Sequence, residues 1–418
     1  MADVDVMLFG PTGVTGREVA RHLARRASAL GLTWGVAGRD RERVAAALDE
    51  LALEGGPDLV MTADAGDPAS VAAMVDAASV VANLVGPYAR HGETIYAACA
   101  RTGTDQLDLT GEMPWVRSML DRYHEAAVAS GARIVPTAGF ESLPYDLAAL
   151  LAATTLHERT GDPVVAVDAS MSTATTSRVT SLTDAVSGGT YQSIVTVLGE
   201  SGGASMTDPH LLDPGAAARS GVLDLVPRRH PATGEWLGPM APWPWINPVV
   251  VHRSAALLRD AGEKLFAEDF RYRDGAEVGP PVPGPGRPVA AATMAGATAA
   301  MGLLGRLPQR PRRALAGWMG RIGPQAGSGP RPEDLDAWSY RITARAATAA
   351  GEVVDVVVEA DGHPGYKSTA RMIGEAALAL ADGSPVPDRR GFLTPATALG
   401  TTSIERMAEA GLRFTVGP

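Results

Sequence analysis

The sequence predicts an α/β protein with a Rossmann-type, doubly wound parallel sheet and a second α+β domain that contains a mixed or antiparallel sheet. Strand-like and helix-like segments alternate through residues 1–160, and parallel neighbouring strands need such crossovers. Two long alternating runs, 338–347 and 352–360, predict an antiparallel hairpin in the second half. The right-handed crossover rule favours the strand order of dinucleotide-binding sheets for the first half.

Each predicted strand of the first half is a short, largely apolar run, and the helices between them place apolar residues three and four positions apart. Pro68 opens the third helix, where a missing backbone N–H costs nothing. The predicted strands are 4–9, 33–37, 59–62, 79–85, 106–109 and 133–137. The predicted helices are 17–30, 41–53, 68–77, 92–101, 114–130 and 143–156.

The composition is that of a globular protein with two or three domains. The chain has 418 residues, 45% of them hydrophobic and 20% charged, which excludes a disordered or fibrous chain. A net charge of −10 argues against nucleic acid as the main partner. Cys99 is the single cysteine, so neither an internal disulfide nor a cysteine metal cluster can form, and we predict no metal site. The first residues lack a secretory signal, which predicts a cytoplasmic protein.

A glycine-rich loop, G-x-x-G-x-x-G, lies between the first predicted strand and the first predicted helix. Glycine is needed where the backbone turns tightly and approaches a pyrophosphate, and the following helix start offers free N–H groups. The position of the loop in an alternating chain predicts dinucleotide binding; the alternative is a purely structural tight turn. The predicted cofactor-binding residues of the loop are Gly10, Thr12, Gly13, Val14, Thr15 and Gly16.

The end of the second strand distinguishes between the two nicotinamide cofactors. NAD sites usually place a carboxylate about 20 residues past the glycines, where it binds the ribose. Here Arg39 stands 23 positions after Gly16, and its guanidinium can pair with a 2′-phosphate. Asp40 is expected to cap the next helix. The sequence therefore predicts NADP (NADPH) rather than NAD.

Two further loops complete the predicted cofactor site. Asp64, after the third strand, either reaches the adenine or forms the turn before a helix. Tyr88, after the fourth strand, stacks or donates a proton, or packs in the core. The residues expected to face the nicotinamide half of the cofactor are Asn83, Val85, Gly86 and Pro87.

Eight segments together resemble the saccharopine dehydrogenase-like oxidoreductase family. They are GPTGVTG (10–16), AGR (37–39), VGPY (85–88), DLTGE (108–112), GFESLPYD (139–146), SGGT (187–190), YKST (366–369) and LTPA (393–396). Within that family the whole chain, length included, most resembles the trans-acting enoyl reductases of actinobacterial polyketide lipid assembly. The segment after Gly139 usually reads Phe-Asp-Ser-Ile-Pro-Ser-Asp in that subgroup. Glu141 and Tyr145 depart from it here and would reshape the mouth of the cleft.

The resemblance implies that NADPH delivers a hydride to the β-carbon of an enoyl thioester carried by a carrier protein. The protein must position the double bond, polarise the carbonyl and supply a proton. Thr110, Ser142 or backbone N–H groups are candidates for polarising the carbonyl, and water is an alternative proton source. The carboxylate of Glu112 is expected to stabilise the positive end of the helix that begins there. The candidate catalytic residues are Tyr88, Glu141, Tyr145 and Lys367.

Two other functions fit the same residues. One is a saccharopine-dehydrogenase-like reductase of an imine or carbonyl substrate, and the other is a non-catalytic, membrane-associated NADP-binding protein. A saccharopine-type substrate is charged and needs several arginines near the cleft. Arg90 is the single arginine in the segments expected there, which favours a less charged, lipid or polyketide acyl substrate.

The predicted domains are a cofactor domain, 1–145, to which 395–418 returns, and a substrate domain, 146–394. The latter includes a Pro/Gly linker and an apolar–basic segment, 279–330. Further predicted elements are a strand at 164–174, a helix at 181–198 whose residues 187–190 line the cleft, helices at 365–381 and 395–410, and a strand at 413–416.

The segment 289–322 combines an uncharged run with a basic one. The uncharged run, 289–305, is shorter than the roughly 20 residues that span a bilayer. Five arginines follow among Leu and Trp, a composition typical of interfacial helices: Arg306, Arg310, Arg312, Arg313 and Arg321. We predict peripheral contact with the inner face of the membrane; the alternatives are a lid or a helical pair packed on the domain.

Overall fold

Two sheets, one parallel and one mixed, form the framework of the computed structural model. The structure describes residues 2–177, 188–200, 207–213, 215, 223–279, 282–324 and 329–417. The strands in chain order are β1 Val4–Phe9, β2 Trp34–Gly38, β3 Leu59–Thr62, β4 Ala78–Asn83, β5 Asp105–Asp108, β6 Arg133–Val135, β7 Val164–Thr175, β8 Arg228–Arg229, β9 Trp236–Gly238, β10 Phe266–Glu277, β11 Trp338–Thr348, β12 Val353–Asp361, β13 Gly391–Phe392 and β14 Leu412–Val416.

Helices cover the two sheets and connect their strands. In chain order they are α1 Val14–Leu30, α2 Arg41–Leu51, α3 Pro68–Asp76, α4 Tyr88–His91, α5 Glu93–Thr102, α6 Met113–Ser130, α7 Leu143–Thr160, α8 Gly188–Glu200, α9 Asn247–Asp260, α10 Arg287–Leu304, α11 Gln309–Ile322, α12 Thr369–Ala381 and α13 Pro395–Leu399. Among the described residues, none of these helices is both long and apolar enough to span a membrane.

The first sheet is parallel throughout its described strands, in the order β13-β6-β5-β4-β1-β2-β3. The six predicted strands and the doubly wound order are therefore confirmed, with β13 added at one edge. The order in which successive strands are added reverses between β1 and β4, which are parallel neighbours in the sheet. In such sheets the crevice outside this switch point is where ligands bind.

The second sheet is mixed, in the order β14-β12-β11-β7-β10-β9-β8. β7 and β10 run parallel, and the other described neighbours are antiparallel. The predicted hairpin is confirmed as β11 and β12, paired from Ser339 opposite Asp361 to Ala347 opposite Val353.

The C-terminal segment does not return to the first sheet as predicted. β14 pairs with β12 of the second sheet, with Arg413 opposite Glu359, so the predicted return of strand 413–416 is wrong. The returning strand is the short β13, which adds to β6. Apolar alternation marks a strand but does not identify its partner edge, which explains the error. The limits of the two domains stay a prediction, and the boundary at 145 falls within α7.

Two predicted helices differ in length from the observed ones. The helix expected at 395–410 ends at Leu399, because Gly400 follows with a φ of 67°, a left-handed conformation that glycine adopts readily. The helix expected at 181–198 is observed as α8, from Gly188 to Glu200. Residues 178–187 lie outside the described part of the chain, as do the side chains of 188–190, so the cleft-lining role of 187–190 stays a prediction.

A buried ion-pair network joins α12 to α1. Glu375 on α12 is fully buried, and its carboxylate accepts hydrogen bonds from His22 at 2.9 Å and Arg26 at 2.6 Å, both on α1. Arg406 donates to the other carboxylate oxygen at 3.1 Å. The network therefore ties the C-terminal third of the chain to the first helix of the parallel sheet.

Candidate active site

The loops after the parallel strands meet at one edge of the first sheet. We call this the carboxyl edge; it comprises residues 10–16, 39, 64, 83–88, 108–112 and 139–142. Gly10 begins it with a φ of 96°, and a Cβ there would lie 3.1 Å from Cγ2 of Val85. The loop after β1 therefore packs directly against the loop after β4, at the switch point of the sheet.

Gly16 and Gly13 have different surroundings within the glycine loop. A Cβ at Gly16 would lie 2.2 Å from the carbonyl oxygen of Gly10, so the loop's own backbone requires glycine there. A Cβ at Gly13 would meet no described heavy atom within 4 Å. Packing therefore explains Gly16 but not Gly13, and the space beside Gly13 is open for a ligand.

Gly13 also occupies the N-cap of α1, where it has no side chain to bond the helix start. The first helical hydrogen bond runs from the N–H of Arg17 to the carbonyl of Gly13, at 2.9 Å. The preceding N–H groups, those of Val14, Thr15 and Gly16, lie in the first turn, which cannot pair them within the helix. Thr12 is exposed beside them. Such a helix start, with its positive dipole end, suits the phosphates of a dinucleotide.

Arg39 lies exposed directly after β2, where the sequence placed it. The neighbouring Asp40 caps α2 by accepting the N–H of Arg43 at 3.1 Å, which confirms its predicted role. The carboxylate next to Arg39 is thus engaged in a helix cap, and Arg39 itself is exposed at the carboxyl edge.

Asp64 forms a turn before α3. Its carboxylate accepts the N–H of Gly66 at 2.9 Å, whereas the cap of α3 itself is Asp67, which accepts the N–H of Ala69 at 3.1 Å. The turn alternative is therefore present in the structure. Asp64 is also exposed, and its contact with adenine stays a prediction.

Asn83 closes β4 with a fully buried amide. Its Oδ1 accepts the N–H of Val85 at 3.0 Å, which shapes the loop that continues through Gly86 and Pro87. Its Nδ2 has no hydrogen-bond partner among the described residues. An unpaired buried donor beside the switch point is available to a ligand.

The hydroxyl group of Tyr88 makes two hydrogen bonds, both with backbone groups. The hydroxyl donates to the carbonyl of Asn83 and accepts the N–H of Leu109, each at 3.2 Å. Burial raises the pKa of Tyr88 well above its ordinary value, with the Asp108 carboxylate adding to the shift. These contacts favour the packing alternative over proton donation.

Two buried carboxylates near Tyr88, those of Asp108 and Glu112, accept hydrogen bonds that the sequence did not predict. Asp108 accepts hydrogen bonds from the Tyr96 hydroxyl at 2.6 Å and the N–H of Thr110 at 3.0 Å, and burial raises its pKa to about 6. Glu112 accepts the N–H groups of Tyr88 at 3.0 Å and Ala89 at 2.8 Å. It therefore bonds the start of α4 and, within the described chain, makes no side-chain hydrogen bond to the start of its own helix, α6, where a stabilising role was expected.

Glu112 also reaches the second half of the chain. Ser193 on α8 donates its hydroxyl to the Glu112 carboxylate at 2.9 Å. The loop after β4 and helix α8 thus share one carboxylate. The Asp108–Glu112 segment is recognisable in the sequence, but its contacts are not. The groups that bond Glu112 belong to Tyr88 and Ser193, which lie 24 and 81 positions away.

Glu141 lies in the turn after β6, partly buried. Its carboxylate accepts the N–H of Gly139 at 3.1 Å, and the adjacent Phe140 N–H donates to the hydroxyl of Thr369 at 3.0 Å, which ties the turn to α12. Burial raises the pKa of Glu141 to about 8, and the charge of Asp108 adds to the shift. Near neutral pH this carboxyl group therefore holds a proton.

The other two candidate catalytic residues, Tyr145 and Lys367, are engaged in contacts of their own. Tyr145 is 2% exposed and packs against Phe140, with 5.9 Å between ring centroids, and its effect on the cleft mouth stays a prediction. Burial raises its pKa well above the ordinary value. The ammonium group of Lys367 pairs with the Asp336 carboxylate. Thr110, a candidate for polarising the substrate carbonyl, is buried, and its hydroxyl accepts the N–H of Glu112 at 3.2 Å.

Helices α10 and α11, which we call the helical pair, carry the apolar–basic segment. α11 packs on α8, where the Tyr191 hydroxyl donates to the carbonyl of Met319 at 3.1 Å. Trp318 and Ile322 are exposed by 57% and 63%. Four arginines are exposed, whereas Arg312 is buried and donates to the carbonyl of Gly305 at 3.1 Å. The packed-pair alternative describes this structure, and membrane contact stays a prediction.

Known proteins resemble the chain over nearly its whole length. A trans-acting enoyl reductase of Mycobacterium ulcerans is 32% identical, with 98% of this chain and 97% of that protein aligned. A protein of Mycobacterium tuberculosis, provisionally named a trans-acting enoyl reductase, is 34% identical over 98% and 96% of the two chains.

Among solved structures, the L-Glu-forming saccharopine dehydrogenase of Saccharomyces cerevisiae has the same fold. The TM-score is 0.53 at 12% identity, and the match covers 99% of each chain. No protein-family model matches the sequence.

Proposed function

The chain belongs to the trans-acting enoyl reductase family, within the fold of saccharopine dehydrogenase, and from this membership we propose that it is an NADPH-dependent enoyl reductase. Its substrate would be a polyketide or lipid acyl thioester with a carbon–carbon double bond, presented by a carrier protein. The observation that carries the proposal is the open helix start at Gly13, beside the loop after β4 at the switch point.

The residues at the carboxyl edge fit a dinucleotide phosphate group. Gly13 leaves space that a side chain would fill, and the first N–H groups of α1 border that space. The unpaired Nδ2 of Asn83 lies at the end of β4, next to β1. We propose that the loop residues 10–16 hold the pyrophosphate and that Asn83 and residues 85–87 hold the nicotinamide half.

Arg39 supports NADP over NAD. Its guanidinium is exposed after β2, at the position where an NAD site places a carboxylate. Asp40 is committed to the cap of α2 and is therefore poorly placed to bond a ribose hydroxyl. We propose that Arg39 binds the 2′-phosphate through two N–H groups.

NADPH, when bound, supplies the hydride for the β-carbon of the substrate. The protein must then provide a proton for the α-carbon, and Glu141 is the candidate whose environment suits that task. Its carboxyl group is protonated near neutral pH, because burial raises its pKa to about 8. Tyr88 is instead committed to two backbone groups, and Lys367 to Asp336.

The charge distribution favours an uncharged acyl substrate. Arg90 is exposed and lies 3.9 Å from Glu200, so its charge is partly balanced away from Glu141. Besides burial, the charge of Asp108 raises the pKa of Glu141. The same charge would repel a carboxylate-bearing imine such as saccharopine.

We also propose peripheral membrane contact through the helical pair. Trp318 and Ile322 are exposed on the same helix as Arg313 and Arg321, a combination that suits the interface of an anionic leaflet. Such contact would place the protein at the inner face of the membrane, near a lipid product.

The test is cofactor oxidation on a panel of substrates measured side by side. Purified protein is given NADPH with an enoyl thioester, an imine and a ketone of equal chain length. We expect oxidation with the enoyl thioester alone. Turnover of the imine or ketone instead would support another reductase, and tight NADPH binding without any turnover would support a non-catalytic protein.

A further inference from the structure

Helix α8 contacts two different parts of the molecule through three consecutive residues. The hydroxyl of Tyr191 and Nε2 of Gln192 each donate to a backbone carbonyl of α11, at 3.1 Å. The next residue, Ser193, instead donates its hydroxyl to Oε1 of Glu112 at 2.9 Å. Two of these residues therefore hold the helical pair, whereas Ser193 reaches the carboxyl edge.

Glu112 joins Ser193 to the loop after β4. Its Oε1, which accepts the Ser193 hydroxyl, also accepts the N–H of Tyr88 at 3.0 Å, and its Oε2 accepts the N–H of Ala89 at 2.8 Å. Those two N–H groups open α4, directly after residues 85–87. The loop that we propose for the nicotinamide half of the cofactor is thus fixed at its C-terminal end by a carboxylate that α8 shares.

The Ser193 hydroxyl helps Glu112 to keep its charge. Glu112 is 1% exposed, and burial raises the pKa of its carboxyl group, with the charge of Glu200 adding to the rise. The hydrogen bonds from Ala89, Ser193 and Tyr88 act in the opposite direction. A charged carboxylate is a stronger acceptor than a neutral carboxyl group. Loss of the Ser193 hydroxyl would therefore also weaken the two bonds between Glu112 and the start of α4.

An ion pair between α4 and α8 is too weak to replace this contact. Arg90 on α4 lies 3.9 Å from Glu200 on α8, and both side chains are about half exposed to solvent. Exposed pairs of this kind contribute little, because water and salt screen their charges. The hydrogen bond of Ser193 to the buried Glu112 carboxylate is therefore the stronger of these two links.

We propose that Ser193 is a positioning residue, which acts through Glu112 to hold residues 85–89 in the conformation that receives the nicotinamide half of NADPH. The inference rests on the proposed function and adds to it a role for helix α8. Under the same proposal the other half of the cofactor lies at Arg39 and the loop 10–16. Binding of that half should therefore be independent of Ser193.

The test compares two ligands of the full-length protein by calorimetry. NADPH carries the nicotinamide, whereas adenosine 2′,5′-bisphosphate keeps the adenine and the 2′-phosphate but lacks the nicotinamide. In Ser193→Ala the dissociation constant of NADPH should rise about fivefold, since part of the energy of one hydrogen bond to a charged group is lost. The dissociation constant of the bisphosphate should not change. Ser193→Thr keeps a hydroxyl group and should restore tight binding of NADPH.

Gln192→Ala is the matched control, because it removes bonds from α8 to the helical pair and leaves the contacts of Glu112 in place. It should change neither dissociation constant. Equal losses for both ligands in Ser193→Ala would indicate a general loss of structure and would overturn the proposal. An unchanged affinity for NADPH, or a failure of Ser193→Thr to restore it, would overturn it as well.

The two proposals fail in different ways. A wild-type protein that binds NADPH but does not oxidise it with an enoyl thioester contradicts the proposed function, and the comparison at Ser193 can still be made. A protein that oxidises NADPH with the thioester but binds it equally well in Ser193→Ala contradicts the inference alone. A wild-type protein that does not bind NADPH contradicts both.

Discussion

The carboxyl edge and the helical pair differ in how their surfaces are determined. At the carboxyl edge, each loop follows a strand of the parallel sheet, so the position of Gly13 or Arg39 in the chain already determines its place in the fold. In the helical pair, Arg312 is buried and its neighbour Arg313 is exposed because α11 packs on α8. Local sequence therefore specifies the first surface, whereas a distant helix selects the second.

The two regions also differ in what their charges do. At the edge, the carboxylates of Asp108 and Glu112 are buried and hydrogen-bonded, and burial raises the pKa values of Asp108 and Glu141. Arginines of the helical pair are mostly exposed to solvent. Substitutions at the edge should therefore change the chemical step or cofactor affinity strongly, while those on the helical pair should act weakly and additively.

The largest effect is expected from Glu141→Gln. The amide keeps the size of the side chain but cannot transfer the proton, so kcat should fall by roughly 100-fold to 10,000-fold. Glu141→Asp is the matched control and should retain most of the activity, because it keeps a carboxyl group. Steady-state kinetics with an enoyl thioester measures both.

The pH dependence of kcat distinguishes a Glu141 that donates a proton from a Glu141 that only packs. Since the pKa of Glu141 is raised to about 8, wild-type kcat should fall as pH rises through that value, and Glu141→Gln should lack this limb. The folded state also holds this proton more tightly, so its contribution to stability is full below pH 4.5 and is lost as pH rises toward 8. A wild-type rate constant that stays flat to pH 9 would remove Glu141 as the proton donor.

The second largest effect is expected on NADPH affinity in Gly13→Ala, which is compared with Gly16→Ala in the same loop. Gly13→Ala places a methyl group in open space, so the free energy of unfolding should change little while NADPH affinity falls by about a hundredfold. Gly16→Ala forces a Cβ against the Gly10 carbonyl and should cost about 1–3 kcal/mol of stability. Denaturant titration and cofactor titration distinguish them; unaltered NADPH affinity in Gly13→Ala argues against the proposed phosphate site.

A smaller effect is expected at the end of β2. Arg39→Asp should raise the KM for NADPH about tenfold and leave the KM for NADH nearly unchanged, because only NADPH carries the 2′-phosphate. Arg43→Ala, an exposed arginine of the following helix, is the control and should alter neither. Equal changes for both cofactors would refute the assignment of Arg39.

The features that the sequence predicts correctly are local ones, whereas those that it misses depend on contacts with other parts of the fold. The six parallel strands, the glycine loop and the cap at Asp40 depend on residues within a few positions, and all were predicted. The partner of β14 and the contact of Glu112 with Ser193 depend on residues distant in the chain. Tyr145 is a similar case, since its burial is set by strands that follow it in the sequence.

The smallest effect is expected on the helical pair. Arg313→Gln and Arg321→Gln should each weaken binding to vesicles containing anionic lipid about fivefold, since one basic residue near such a surface contributes about 1 kcal/mol. Arg101→Gln, an exposed arginine on α5, should have no effect. If the wild-type protein does not sediment with these vesicles, the proposed membrane contact of the helical pair is wrong.

We propose that the carboxyl edge binds NADPH and that the protein reduces a carbon–carbon double bond there. Its most direct test is the reduction of an enoyl thioester with NADPH deuterated at C4 of the nicotinamide, followed by NMR and mass spectrometry of the product. We expect one deuterium at the β-carbon and a solvent-derived proton at the α-carbon. A saturated product without deuterium, or deuterium at the thioester carbonyl carbon, would contradict it.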